Sequence, residues 1–217
     1  MTTVPAPRTH PPEDLLLAHA SGESDPAMRV LLEAHLDLCA DCRAAFAELA
    51  APGGWLLAQT PEEKPSAAVW EALERRLASP PPPDLLPAEV PLPAGARAEL
   101  DLRQPPRWVR LFLRGAKMSL LFEDEGSKSW LGLGRMPGGK VFPRHLHTDF
   151  EHAVVLSGGY ADERGDFEAG DFAVYEPGSE HGPDTLEGQD CWILFRLAGP
   201  VEFRGWRGVL QRLFTRG

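Results

Sequence analysis

Basic residues are in short supply. The 217-residue chain carries 22 Lys and Arg against 32 Asp and Glu, a formal charge of −10. Nucleic-acid binding needs a basic face that displaces counterions, so this balance argues against a direct nucleic-acid partner. Long apolar runs are missing as well. No stretch approaches the roughly 18 consecutive apolar residues of a membrane span, which argues against a membrane protein. The opening from Met1 to Asp14 is Pro-rich and mixed in charge, without the basic-then-apolar order of a secretion signal, and a cytoplasmic location is expected. Cysteine is scarce: three residues cannot all pair within one chain, and Cys39 and Cys42 stand only three positions apart. In a reducing compartment such a pair more often binds metal or does redox work than forms a structural disulfide. There is no internal repeat of fixed period.

What is present is ordinary for a globular protein. Hydrophobic residues make up 43 % and charged residues 25 %, which excludes disorder throughout. At about 100–200 residues per domain, the length allows one large domain or two small ones. The strongest punctuation lies in the middle, where Ser79 to Gly95 reads SPPPPDLLPAEVPLPAG, with seven prolines in 17 residues. Proline fixes φ and donates no hydrogen bond, so this stretch is expected to be extended, semi-rigid and unpacked. It divides the chain into residues 1–79, a linker over 80–95, and residues 96–217.

The first part reads as helical. Glu13 to Ala20 forms one short helix, with Gly22 as its stop. A second begins near Asp25-Pro26, since Pro suits the first turn, and runs through Met28, Leu31, Leu32 and His35. A third runs from about Ala40 to Ala50 or beyond, and a fourth from Ser66 to Ala78. Four short helices bury little, and such domains need added support, which a structural metal would supply. The part after the linker reads as strands: Val109–Leu113, Ser129–Leu133, His152–Leu156, Phe172–Tyr175 and Trp192–Leu197. Turns are expected at Pro137-Gly138-Gly139, Gly158-Gly159 and from Gly165 to Gly170, the pattern of a sandwich or barrel. Phe203 to Gly217 has Trp206, Val209, Leu210, Leu213 and Phe214 at roughly helical spacing among four arginines. That reads as an amphipathic helix packed on its own barrel, with a domain–domain or dimer contact as the alternative.

Two constellations carry chemistry. In AHLDLCADCR, from Ala34 to Arg43, His35 and Cys39 are four apart and share a helix face, and Cys42 follows one turn later. Thiolate and imidazole together suit tetrahedral zinc, and a closed site needs a fourth ligand. His10, in a flexible Pro-flanked segment, can swing over the site; His19 lies within the apolar helix and is the weaker choice. A buried pair or a redox motif are the alternatives. His-x3-Cys-x2-Cys in a short acidic helical domain resembles the zinc-binding anti-sigma domain of bacterial regulators. That family places its fourth ligand 25 residues before the motif histidine, the separation of His10 from His35. The resemblance implies helices that wrap an extracytoplasmic-function sigma factor and block its access to RNA polymerase. Residues 1–79 carry six Lys and Arg and twelve Asp and Glu, an acidic surface that suits a basic partner.

The second constellation is GGKVFPRHLHTDFEHAVVLSG. His145 and His147 point to one face of a strand, and Glu151 shares their parity across a local turn. GDFAVYEPGSEH, from Gly170, adds His181. Three imidazoles and a carboxylate make a site for Zn, Mn, Fe or Ni. Gly139-x5-His145-x-His147-x3-Glu151-x6-Gly158 resembles the first motif of the cupin barrel without a gap. The second motif departs from the pattern, with Glu176 where that family has proline and Thr185 where it has asparagine. Histidines that merely pack remain the alternative, although a buried Glu151 without a partner is costly. His152 has the opposite parity and reads as structural or solvent-exposed.

In this order across a Pro-rich linker, the two motifs resemble the ChrR-type anti-sigma factors. The expected fold is therefore α + β and multidomain: a small zinc-stabilised helical bundle, a linker, and a cupin domain (a double-stranded β-helix or jelly roll). The resemblance implies no enzymatic activity. It implies instead that the first domain inhibits a sigma factor and the second triggers release on singlet oxygen or related oxidants. The metal ligands would be His10, His35, Cys39 and Cys42 for zinc, and His145, His147, Glu151 and His181 for a divalent ion, zinc first. The competing reading is a metal-dependent, dioxygenase-like cupin enzyme with an accessory zinc domain. Cys191 reads as a buried structural thiol, with a redox role as the alternative.

Overall fold

The computed structural model describes residues 6–80, 83–102, 104–111 and 114–203. Helix α1 spans Glu13–Ala20 and α2 spans Pro26–Leu38. Asp25 caps α2 by accepting the Met28 amide at 2.8 Å, which satisfies one of the free N–H groups of the first turn. Helix α3 runs Ala40–Ala58 through Pro52, and α4 runs Ala67–Ala78 from its Ser66 cap. A fifth helix, α5, covers Ala94–Glu99.

Helix α2 is the centre of the molecule. Ala27, Met28, Val30, Leu31, Leu32, Ala34, His35 and Leu36 are all buried, and only a narrow stripe through Pro26, Arg29, Glu33 and Asp37 meets solvent. Helices α1, α3 and α5 and the large sheet surround it. The expectation of an unpacked stretch over 80–95 is corrected here: Leu86, Val90 and Leu92 are buried in the same core, and Arg97 donates to Asp84 and to the Val90 carbonyl. The apolar residues between the prolines cover α2, and that burial overrides the extended bias of proline. The expected four-helix packing is also only partly realised, because α4 buries none of its residues.

Among the described residues twelve strands follow: β1 Val109–Arg110, β2 Lys117–Asp124, β3 Ser129–Met136, β4 His145–His147, β5 Glu151–Ser157, β6 Gly159–Asp162, β7 Gly165–Glu168, β8 Phe172–Tyr175, β9 Glu180–His181, β10 Asp184–Thr185, β11 Cys191–Leu197 and β12 Val201–Phe203. They form an antiparallel six-stranded sheet, β1-β2-β3-β11-β5-β8, and two three-stranded sheets, β10-β6-β7 and β12-β4-β9. Strand β2 has no β-branched residue and a bulge between Leu120 and Phe122, which hides its alternation in the sequence. Gly165–Glu168, expected within a turn, pairs with β6 instead. The amphipathic stretch after Phe203 lies outside the described residues.

The large sheet has two working faces. On β11, Trp192 and Leu194 join the core shared with α2, while Cys191, Ile193 and Phe195 pack in the barrel with Tyr160, Phe167 and Tyr175. The alternation of a strand thus supplies one core to each neighbour. Arg196, on the outer face, places Nη2 2.7 Å and Nε 3.0 Å from Asp25 Oδ2. One carboxylate therefore caps α2 and ties it to β11.

Candidate metal centres

The first centre forms where α2 ends and α3 begins. Cys39 adopts an extended conformation that stops one helix and caps the next, its sulfur accepting the Cys42 amide at 3.4 Å. His35, one turn earlier, shares their side. His10 comes in from the segment before α1, with Nδ1 3.3 Å from Cys42 Sγ and 3.5 Å from Cys39 Sγ. One ligand atom from each of the four residues lies within 4.8 Å of every other. Burial holds the His35 imidazolium down to about 4, and burial together with the neighbouring Cys39 pushes the Cys42 thiol up to about 12. His35 Nε2 is buried with no hydrogen-bond partner, while its Nδ1–H donates to the Gly170 carbonyl at 2.7 Å. A lone pair so oriented and left bare, facing two sulfurs, fits a cation. His19 is elsewhere, 2.8 Å from Glu33 and packed on Phe46.

The barrel supplies the backbone that holds this centre. Asp171 Oδ1 accepts the Arg8 amide at 2.6 Å and the Thr9 amide at 2.9 Å, and the Phe172 amide donates to the Thr9 carbonyl at 3.1 Å. The residues flanking His10 are thus gripped by the β7–β8 turn that also orients His35. Gly170 has φ of 96°, and a Cβ there would lie 2.6 Å from the Pro7 ring, so the turn requires glycine for conformation and for space.

The second centre lies inside the barrel. His145 and His147 alternate inward on β4, Glu151 opens β5, and His181 lies on β9 opposite His145. All four are buried, and one ligand atom from each lies within 4.8 Å of the others. His145 Nδ1–H donates to the Pro143 carbonyl at 3.0 Å, and His181 Nδ1–H donates to Asp162 Oδ2 at 2.8 Å. Both Nε2 atoms then present lone pairs, and they face each other at 3.0 Å. Burial holds the His145 imidazolium down to about 4 and that of His147 to about 3, so protons are poorly placed to bridge them. Burial pushes Glu151 up to about 8, and its Oε2 lies 3.3 Å from His147 Nδ1. Converging imidazole lone pairs beside a desolvated carboxylate are a donor set that a divalent ion satisfies.

Sequence reasoning missed the residues behind these donors. Asp162 accepts from His181 and from the Tyr175 hydroxyl at 2.6 Å; Tyr175 stacks on His147 and meets the Tyr160 hydroxyl at 2.9 Å. Tyr160 and Tyr175 are the only tyrosines in the chain, and that scarcity was the available signal. His152 points away from the centre, as its parity requires, and is buried at the helical interface beside Phe172. Cys191 is buried in the barrel, and that burial pushes its thiol up to about 12.

A helical unit with a Cys2His2 cluster, seated on a cupin barrel with a His3Glu cluster, defines the class. Residues 103–202 match the family described as the ChrR cupin-like domain. Anti-sigma-E factor ChrR of Cereibacter sphaeroides is 32 % identical over 96 % of this chain and 98 % of its own. The chain belongs to this ChrR family. The crystal structure of Rhodobacter sphaeroides SigE in complex with the anti-sigma ChrR matches with a TM-score of 0.64 and 30 % identity, covering 88 % of this chain and 98 % of that one. An RmlC-like cupin protein from Ralstonia eutropha matches with a TM-score of 0.43 and 18 % identity, over 53 % of this chain and 83 % of that one. Among the described residues, no helix is long and apolar enough to cross a membrane.

Proposed function

We propose that this protein binds and inhibits an extracytoplasmic-function sigma factor in the cytoplasm, with residues 1–79 as the inhibitory unit and the cupin domain, 96–217, as the unit that triggers release. The observation that carries the reading is an apolar stripe that no described residue covers. Val69, Trp70, Leu73 and Leu77 repeat at helical spacing along α4 and are 58, 53, 43 and 75 % exposed, and Trp55, Leu56 and Leu57 are exposed at the end of α3. Scattered surface apolar residues are normal, but a continuous stripe of this kind belongs to a partner. The names of the relative and of the matched complex supply that partner's class.

Zinc is the ion proposed for His10, His35, Cys39 and Cys42, because two thiolates and two imidazoles make a closed tetrahedral structural set. The cupin ligands His145, His147, Glu151 and His181 would hold a divalent ion, zinc first. Bound there, the ion supplies a fixed positive charge within the barrel. The chain's own residues do the rest: Pro143 and Asp162 fix two imidazole tautomers, and Tyr175 packs a third. Release would follow from a change in this centre, passed along β8 to Gly170 and Asp171, which hold His35 and the segment bearing His10. Singlet oxygen or a related oxidant is the proposed stimulus.

The test is release itself. Glu151→Ala and His181→Ala proteins should still bind the sigma factor and should fail to release it under oxidant. If they release it as the parent does, the cupin is not the sensor. The enzymatic alternative, a dioxygenase-like cupin, is tested by oxygen uptake on the iron-loaded protein, and none is expected.

A further inference from the structure

The barrel is built around a hole. A cavity of about 240 Å³ has apolar walls that include Met118, Phe142, Ile193 and Phe195. His145, Glu151 and His181 form part of its lining, and Glu151 is the only carboxylate there among the described residues. Lys117 borders the cavity too, but its ammonium lies 4.2 Å from the centre of the Trp108 ring, on the outer face of the sheet.

Strand β3 lets the side chains of β11 form one wall of this space. Its register with β11 sets Gly132 opposite Phe195 and Gly134 opposite Ile193, in the row that faces the barrel. A Cβ on Gly132 would fall 2.3 Å from the Phe195 ring, and one on Gly134 would lie 3.0 Å from Ile193. Glycine permits such close approach, and here the approaching groups are Phe195 and Ile193, the side chains that wall the cavity. An apolar void left unfilled also forfeits contacts along its whole lining.

The walls select what fits. They offer almost no hydrogen-bonding groups away from the cluster, so a sugar or nucleotide would bury its hydroxyls without partners. The volume exceeds the cavities of about 150 Å³ that take benzene and falls short of the roughly 300 Å³ at which drug-sized sites begin. A divalent ion with three neutral imidazoles and one carboxylate leaves a single positive charge, which a monoanion cancels in a medium where an unbalanced charge is costly.

We propose that the cupin barrel binds a small monoanion with a hydrocarbon body and one oxygen head group, of carboxylate chemistry, with its tail in the cavity and its head at the His145–Glu151–His181 wall. This inference rests on the metal reading of that cluster, and the test separates the two. Metal content of the zinc-loaded full chain is measured first, then binding of hexanoate, hexylammonium and gluconate by calorimetry. Two zinc ions per chain are expected, and hexanoate should bind at least ten-fold more tightly than the cation or the hydroxylated acid. Ile193→Trp, which fills the cavity, should abolish binding without changing zinc content; Gly134→Val serves if the first variant does not fold by circular dichroism. A two-zinc chain that ignores hexanoate, or binds gluconate equally, overturns the ligand and leaves the metal reading standing. A chain that takes up only one zinc overturns the metal reading and the head-group assignment together.

Discussion

At the residue scale, the two centres answer one question: what neutralises buried donors that face each other? Three of the eight donor residues (His35, His145 and His181) have one ring nitrogen fixed to an oxygen acceptor, leaving the other for the centre. Metal binding and folding are therefore expected to be coupled. Cys39→Ser and His35→Ala should each lower zinc from two ions to one per chain by elemental analysis, and should abolish inhibition; an unchanged stoichiometry in both would sink the assignment. Cys191 tests the opposite case, a thiol with no role in either centre. With its thiol pushed up to about 12 by burial, it stays protonated at neutral pH, and the thiolate is the reactive form. Native protein should leave Cys191 unalkylated by iodoacetamide at pH 8, whereas urea-unfolded protein should be labelled there within minutes. Rapid native labelling would point to a redox role instead.

At the scale of elements, α2 and the β7–β8 turn do the joining. Asp25 and Arg196 are both largely buried, and removing one charge leaves the other unpaired. Asp25→Asn keeps a capping side chain but loses the ion pair, so a loss of about 2–4 kcal/mol is expected in urea unfolding. Adding Arg196→Met should restore most of it; if it does not, the pair is not the cause. The turn makes a separate prediction. Asp171→Ala frees the amides of Arg8 and Thr9 beside His10, and the first centre should lose about ten-fold or more in zinc affinity against a chromophoric chelator. Zinc in the barrel should not change. Equal affinity would mean that the turn positions nothing.

These elements also explain what the sequence could and could not tell. His35, Cys39 and Cys42 sit within eight residues, and His145, His147 and Glu151 within seven, so local periodicity alone brings each set together. The helix starts were legible for the same reason, since Asp25-Pro26 and Ser66 are local signals. Asp162, Tyr175 and Asp171 were not, because each reaches its centre by contacts with segments distant in the sequence, which no spacing reveals. The packing of Leu86, Val90 and Leu92 was hidden by the prolines around them, and β2 by its bulge.

At the scale of the whole molecule, the chain has one half that packs and one stripe that does not. Helix α4 buries nothing, yet its apolar residues are regularly spaced, and it sits in an acidic segment. Leu73→Glu should therefore leave zinc content and urea stability within about 0.5 kcal/mol of the parent, while binding to the sigma factor falls at least ten-fold. Unchanged binding would move the interface elsewhere. The most direct test of the account is to tag the full chain in its own bacterium and identify what it retains. An extracytoplasmic-function sigma factor at one copy per chain is expected, lost with Cys39→Ser and with Leu73→Glu. A tagged chain that carries its full zinc and retains no sigma factor would contradict it.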